Sequence, residues 1–213
     1  IENIFKHFQP IMLQFLKYSE YENEINKLSN MIDVPVNTYG ETGYKKMVVS
    51  LSLINYIGCK TSQEKNKFKI FNYFFKIRPD SIINDYLDLK LFNNNLITPL
   101  SNSHDFYIDK VKYSMNDQMC FTDNFDFLST YCKLYEHLLE VYKLLHTIND
   151  NEPKKYFYES TLGYFIKIIN KLDVKEIPIQ IGIVRNESIL YYTKDREIGN
   201  KRISYLEYEK TIK

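Results

Sequence analysis

The spacing of apolar residues changes near residue 173, and this change constrains the fold more than any other feature. Before it, apolar residues recur every three to four positions, as on one face of a helix. From "IPIQIGIVRNESILYYTKD" (177–195) onward they alternate with other residues, as in a half-buried strand. We therefore predict a predominantly helical α+β fold with five or six helices and a small antiparallel β element at the C-terminus.

One domain is expected to span residues 1–213, because a chain of this length can bury a substantial core. Residues 1–172 would form its mainly helical body. Residues 173–213 would form a β-rich appendage, with a turn at Asn186-Glu187-Ser188 and a third strand in "KRISYLEYE".

The helical spacing predicts individual helices. They cover 1–32, 43–57, a segment that starts at Thr61, 124–148 and 154–172. Gly58 is expected to end the second helix, since Gly tolerates the left-handed backbone of a helix C-terminus. Thr61 and Glu64 have the spacing of a capping box, which would open a helix carrying Phe74 and Phe75.

The region between residues 93 and 122 is less regular. "NNNLITPLSNSHD" (93–105) is typical of a loop, and "FYIDKVKYSMNDQMCF" (106–121) alternates around Asn116-Asp117 as a hairpin would. Asp123 is the expected N-cap of the helix over 124–148.

Charge and composition restrict the function classes. With 28 basic and 27 acidic residues the chain has a net charge of +1, so no overall field attracts nucleic acid or an anionic membrane. A DNA-binding regulator that uses its Lys-rich helices is kept as an alternative. The 19 Tyr, 14 Phe and no Trp follow A/T-rich codons, as in a low-GC bacterium, a mobile element, a large DNA virus or a parasite.

Location is inferred from cysteines and hydropathy. The three cysteines, Cys59, Cys120 and Cys132, are odd in number and not close in sequence, which favours a reducing, intracellular setting. No apolar run is long enough to cross a bilayer or resembles a signal peptide, so no membrane partner is expected.

The stretch "RPDSIINDYLDLK" (78–90) has two incompatible interpretations. As two strands around a turn it would bring Asp80 near Asp88 and Lys90, the arrangement of a metal-dependent nuclease that holds magnesium or manganese. As a helix opened by Pro79 it would have an apolar stripe and no catalytic role. The helix is the favoured interpretation, and the nuclease remains the alternative.

No motif identifies another chemistry. The chain has no phosphate-binding Gly-rich loop and no Gly-x-Ser-x-Gly, and its His residues lack partners at zinc-ligand spacing. We therefore expect no cofactor and a non-enzymatic, intracellular interaction or regulatory domain that recognises a protein partner. The oligomeric state is left open.

Tyrosines on two predicted helices are the candidate binding surface. The stripe on 124–148 has more aromatic residues than one buried face needs, and the helix after it adds two more. Tyr is common at interfaces because it buries a large area at low entropic cost. The candidate residues are Tyr135, Leu139, Tyr142, Tyr158 and Tyr164.

Overall fold

The structure confirms a helix-dominated α+β fold. It is a computed structural model that describes residues 16–34, 41–64, 71–78, 81–83, 87–100, 106–108, 110–148, 153–179, 181–185, 188–192 and 200–204. The α-helices of these segments are α1 (Tyr18–Met31), α2 (Glu41–Glu64), α3 (Phe125–Cys132), α4 (Leu134–Thr147) and α5 (Tyr158–Tyr164). A 3-10 turn (Pro153–Tyr156) precedes α5, and a π-helical turn (Phe165–Ile169) follows it.

The described segments also contain ten strands, six between α2 and α3 and four after α5. They are β1 (Phe74–Ile77), β2 (Ser81–Ile83), β3 (Leu96–Pro99), β4 (Tyr107–Ile108), β5 (Val111–Lys112), β6 (Met119–Thr122), β7 (Val174–Ile177), β8 (Ile181–Arg185), β9 (Ser188–Tyr192) and β10 (Asn200–Ser204). The main sheet has the order β1-β6-β3-β7, and the C-terminal sheet has the order β10-β9-β8-β2. Strands β4 and β5 form a small hairpin of their own.

The main sheet separates two hydrophobic cores. On one side lies the helical core, where residues of all five helices surround sheet residues such as Leu96 and Cys120. The second core contains Ile97, Met119, Phe121, Ile177, Ile179 and Ile181. Neighbouring residues of β3 and of β6 therefore contribute to opposite sides, as the alternation of side chains along a strand requires.

The predicted boundary between two helices at Gly58 is wrong. Helix α2 continues through Gly58 and Thr61 to Glu64, so no capping box is formed. An interior Gly costs a helix only about 1 kcal/mol relative to Ala, and the burial of Val48, Val49 and Leu53 offsets that cost.

Phe74 and Phe75 lie in strand β1 rather than in a helix. Phe74 is 7% exposed and Phe75 is 52% exposed, the alternation expected of a strand with one covered face. Their cross-strand partners on β6 are Thr122 and Phe121. Pairing with a buried strand thus outweighs the helical spacing of the phenylalanines.

The predicted helix over 124–148 consists of two helices. Lys133 lies between α3 and α4, and its N–H donates to the carbonyl oxygens of Ser129 and Thr130. The N-cap is Asn124, whose side chain accepts from the N–H of Asp126 at 2.9 Å, and not the predicted Asp123. The carboxylate of Asp123 instead accepts from the N–H of Asn94 at 3.0 Å.

The region from 93 to 121 contains more β structure than predicted. The supposed loop includes β3, which is buried along its whole length. The hairpin turns at Lys110, whose φ of 68° is left-handed, rather than at Asn116-Asp117. The side chain of Asn116 accepts from the N–H of Gln118 at 2.9 Å and so leads the chain into β6.

The antiparallel C-terminal element is confirmed in β8, β9 and β10. The alternating stretch that begins at Ile177 is nevertheless divided at Pro178, because Pro lacks the N–H that a strand ladder needs. Strand β7 pairs in parallel with β3 of the main sheet, so the β-rich segment is joined to the helical body. The single domain over 1–213 stays a prediction.

Gly163 of α5 gives a stability test. A Cβ there would lie 1.7 Å from the carbonyl oxygen of Tyr113. This oxygen belongs to the main chain, so it cannot move aside as the end of a flexible side chain could. We expect Gly163→Ala to lower the free energy of unfolding by several kcal/mol, in the range of overpacked core substitutions or above. Urea denaturation would measure this loss.

Gly58→Ala is the matched control. It is also helical, but no atom lies within 4 Å of the Cβ position. Here Ala should raise stability by about 0.5–1 kcal/mol. Equal effects of the two substitutions would contradict the proposed close approach at Gly163.

Candidate functional site

The expected partial exposure is wrong for two members of the predicted tyrosine surface, and their role in binding stays a prediction. Tyr142 is 2% exposed and Tyr158 is 3% exposed, although both were expected to be partly exposed. The Tyr142 hydroxyl donates to the carbonyl oxygen of Tyr156 at 3.1 Å, and the Tyr158 hydroxyl accepts from Asn55 at 3.2 Å. Helix α4 contacts both α2 and α5, so its apolar stripe is covered from two sides.

The other predicted binding residues, Tyr135, Leu139 and Tyr164, are half-buried against the helical core. The Tyr135 hydroxyl donates to Glu24, and its ring stacks on Tyr56 with the centroids 5.6 Å apart. These contacts hold Tyr135 between helices. Binding by the three residues stays a prediction.

The segment 78–90 is neither a continuous helix nor a strand-turn-strand unit. Strand β2 pairs with β8, and its Ser81 lies opposite Ile183 rather than Asp88. Asp88 caps a 3-10 turn (Leu89–Leu91) by accepting from the N–H of Lys90 at 2.9 Å. Asp80 lies outside the described residues, so the nuclease with its magnesium or manganese stays an untested alternative.

Metal ligation has no support in the part of the chain that the structure describes. No group of three His, Cys, Asp or Glu side chains there is placed to hold a metal ion. Nor does any described helix have the length and apolarity to cross a bilayer.

A groove of about 290 Å³ lies between α2, α3 and strand β1. Its lining residues are Ile54, Asn55, Gly58, Cys59, Ser62, Phe75, Lys76, Ile77, Phe125, Leu128 and Cys132. Ile54, Phe75 and Ile77 expose 54%, 52% and 44% of their surface. The groove thus combines apolar surface of α2 and α3 with the edge of β1, whereas the Phe75 ring itself packs against Phe121 of the second core with the centroids 5.5 Å apart.

The backbone of β1 contributes to this groove. Strand β1 ends the main sheet, and among the described residues its outer edge has no strand partner. The backbone N–H of Arg78 donates to the carbonyl oxygen of Gln118, so these two residues form a hydrogen-bonded pair. In an antiparallel ladder, hydrogen-bonded pairs alternate with pairs whose backbone groups point outward. Phe75 and Ile77 belong to the outward kind, and their N–H and C=O groups therefore point away from β6.

Lys76 forms the polar base of the groove. Its ammonium group donates to the main-chain oxygen of Asp117 and lies 5.7 Å from the centre of the Tyr131 ring. Burial lowers the pKa of Lys76, and the nearby carboxylate of Asp117 opposes that shift. The lysine therefore binds buried acceptors of the protein itself.

Two carboxyl groups lie near Arg78, those of Asp117 and Glu159. Asp117 pairs with Arg78 at 3.5 Å, and only 8% of the Asp117 side chain is exposed. Burial, reinforced by the negative charge of Asp117, raises the pKa of Glu159 to about 7. Glu159 can therefore exchange a proton near neutral pH, although it does not line the groove.

A second cavity of about 150 Å³ adjoins the groove and shares Cys59 and Cys132 with it. Cys59 is partly exposed, whereas Cys132 is buried. The Cys132 thiol donates a hydrogen bond to the Cys59 sulfur and lowers the pKa of Cys59. These thiols are far apart in the sequence, so only the packing of α2 on α3 brings them together.

None of the groove residues was a predicted binding residue. A signal existed in "FNYFFKI" (71–77), where aromatic and apolar residues also fit the alternation of a strand. The alternation alone would have placed Lys76 on the open face, whereas Phe75 and Ile77 are the exposed residues of this strand and Lys76 lies on its covered face. The helical interpretation of the phenylalanines concealed the strand.

In comparisons with protein-family models, curated proteins and solved structures, nothing matches this chain. The site therefore has to be interpreted from its geometry.

Paired substitutions distinguish core tyrosines from peripheral ones. Tyr142→Ser should cost about 3–5 kcal/mol, the range for emptying a buried aromatic position. Tyr135→Ser should cost less than half as much, because its ring is only half-buried. Urea denaturation of both variants measures this difference, and equal losses would contradict the assigned burial.

Glu159 gives the protein a pH-dependent stability. A carboxyl pKa raised from 4.5 to about 7 means that the folded state holds this proton more tightly. The stabilisation of the folded state by this proton is complete below about pH 4.5 and is lost as the pH rises through about 7. The loss is at most about 3 kcal/mol, since one pKa unit corresponds to about 1.4 kcal/mol.

Glu159→Gln, which cannot titrate, should remove this loss. The difference in unfolding free energy between variant and wild type should grow in favour of the variant from pH 4.5 to 8. Glu22→Gln, at an exposed position of α1, is the control for loss of a surface carboxylate. A difference for Glu159→Gln that is constant over this pH range would refute the prediction.

Proposed function

We propose that this chain is an intracellular domain that binds a protein partner by accepting an extended segment of it along strand β1. The single observation that carries the proposal is the groove between α2, α3 and the outer edge of β1. We include regulation through this binding in the proposal. The odd number of cysteines favours a reducing, intracellular location.

The backbone chemistry of the edge favours an extended peptide over other occupants. Phe75 and Ile77 each direct a donor and an acceptor away from β6. An added strand pairs these groups in register, whereas a helix has already used its own backbone groups. Main-chain pairing would supply affinity without requiring one particular sequence.

The side chains define which segment fits. Because successive residues of a strand point to opposite faces, every second side chain of an added strand would point towards Ile54 and Leu128 of the groove. Apolar side chains of medium size on the added strand would fit these positions. We therefore expect the partner segment to alternate apolar and polar residues.

Selection from a displayed library of random peptides on the purified full chain tests this proposal. The selected peptides should share alternating apolar positions. Replacing Ile54 by Asp should weaken their binding at least tenfold, because it places a charge in the apolar part of the groove. Isothermal titration calorimetry with synthetic peptides would measure the change.

Val111→Asp is the matched control. Val111 is also 54% exposed but lies on the β4–β5 hairpin and does not line the groove. N-methylation of alternate peptide residues should abolish binding at one set of positions and leave it unchanged at the other. Peptides that bind equally well to the Ile54→Asp variant would disprove the assignment of the groove.

A further inference from the structure

Cys59 and Cys132 have different surroundings from the third cysteine. Both line the groove and the smaller cavity beside it, and small molecules can reach Cys59, the partly exposed member of the pair, from solvent. Cys120 is 0% exposed in strand β6, and burial raises its pKa to about 12. Cys120 therefore provides an internal reference for an unreactive thiol.

Groups around Cys59 stabilise its thiolate. The Cys132 thiol donates to the Cys59 sulfur, and the Ser129 hydroxyl does so as well. Gln63 donates to Ser129 Oγ at 2.9 Å, which leaves the Ser129 hydrogen available for Cys59. The positive charge of Lys133 acts in the same direction, and partly exposed thiols with such neighbours are the reactive ones.

We propose that Cys59 and Cys132 are a peroxide-sensitive thiol pair, in which Cys59 is attacked first and Cys132 then closes a disulfide. Two adjoining cavities that both thiols line place them beside each other where α2 packs on α3. This oxidation does not depend on peptide binding along β1.

The chemistry balances with hydrogen peroxide as the oxidant. The Cys59 thiolate attacks one peroxide oxygen, the O–O bond breaks, and the leaving hydroxide takes a proton to become water. Cys59 is then a sulfenic acid. The Cys132 sulfur, after losing its proton, attacks the Cys59 sulfur, the S–O bond breaks and a second water leaves. Two thiols have given up two electrons, and one peroxide has become two waters.

The fold permits the second step. A disulfide brings the sulfurs closer than hydrogen-bond contact, so one side chain has to move. Cys132 is the last residue of α3, and Lys133 alone separates it from α4. A small shift at this junction leaves the other residues of both helices in place.

Treatment of the reduced full chain with hydrogen peroxide tests the proposal. After alkylation of the remaining thiols and digestion without reductant, mass spectrometry should find one linked pair of peptides, containing Cys59 and Cys132. Cys120 should be alkylated as in the untreated protein. A linkage that involves Cys120, a link between two chains, or no linkage would overturn the proposal.

Variants assign the order of attack. In Cys132→Ala, Cys59 should stop at the sulfenic acid and be labelled by dimedone, whereas Cys59→Ala should leave Cys132 unlabelled. Cys120→Ala is the matched control and should form the disulfide as the wild type does. Dimedone labelling of Cys132 in the Cys59→Ala variant would reverse the assigned order and refute the proposal. Circular dichroism verifies that each variant is folded, and the linkage in wild-type protein does not depend on any variant.

Discussion

Strands β3 and β6 are buried on both faces, and the rest of the architecture depends on this double burial. A strand in that position needs an apolar layer on each side. The helices supply one layer around Leu96 and Cys120, and Ile177, Ile179 and Ile181 contribute to the other. The helical body and the C-terminal strands therefore complete the same sheet from opposite sides.

The groove follows from the same arrangement. Because β3 and β6 occupy the centre of the main sheet, β1 is left at its edge, and α2 and α3 lie beside it. Lys76 anchors the strand to the buried Asp117 region. The edge is thus fixed in position, and no other strand of the described segments pairs with its outward backbone groups, as a peptide-binding edge requires.

The sequence was informative where a local pattern and the tertiary packing agree. The change of period predicted both the helical body and the strands β8 to β10. Prediction failed where short elements depend on distant partners. Strand β3 has only four residues and directly follows three Asn residues, and the strands that pair with it are β6 and β7. The capping box at Thr61 was a correct local pattern, but the packing of α2 overrode it.

The candidate site was harder to predict from the sequence than the fold. Tyr142 was assigned to the surface because the sequence does not show that α4 is covered by two neighbours. Tyr158 of α5 was assigned there because the sequence does not show its contact with Asn55 of α2. The parallel pairing of Leu96 with Val174 has a further consequence for biosynthesis. The chain leaves the ribosome N-terminus first, so β3 is made long before the strand that covers its second edge. Until residue 177 has emerged, that edge of β3 lacks its native partner and can pair with the wrong strand.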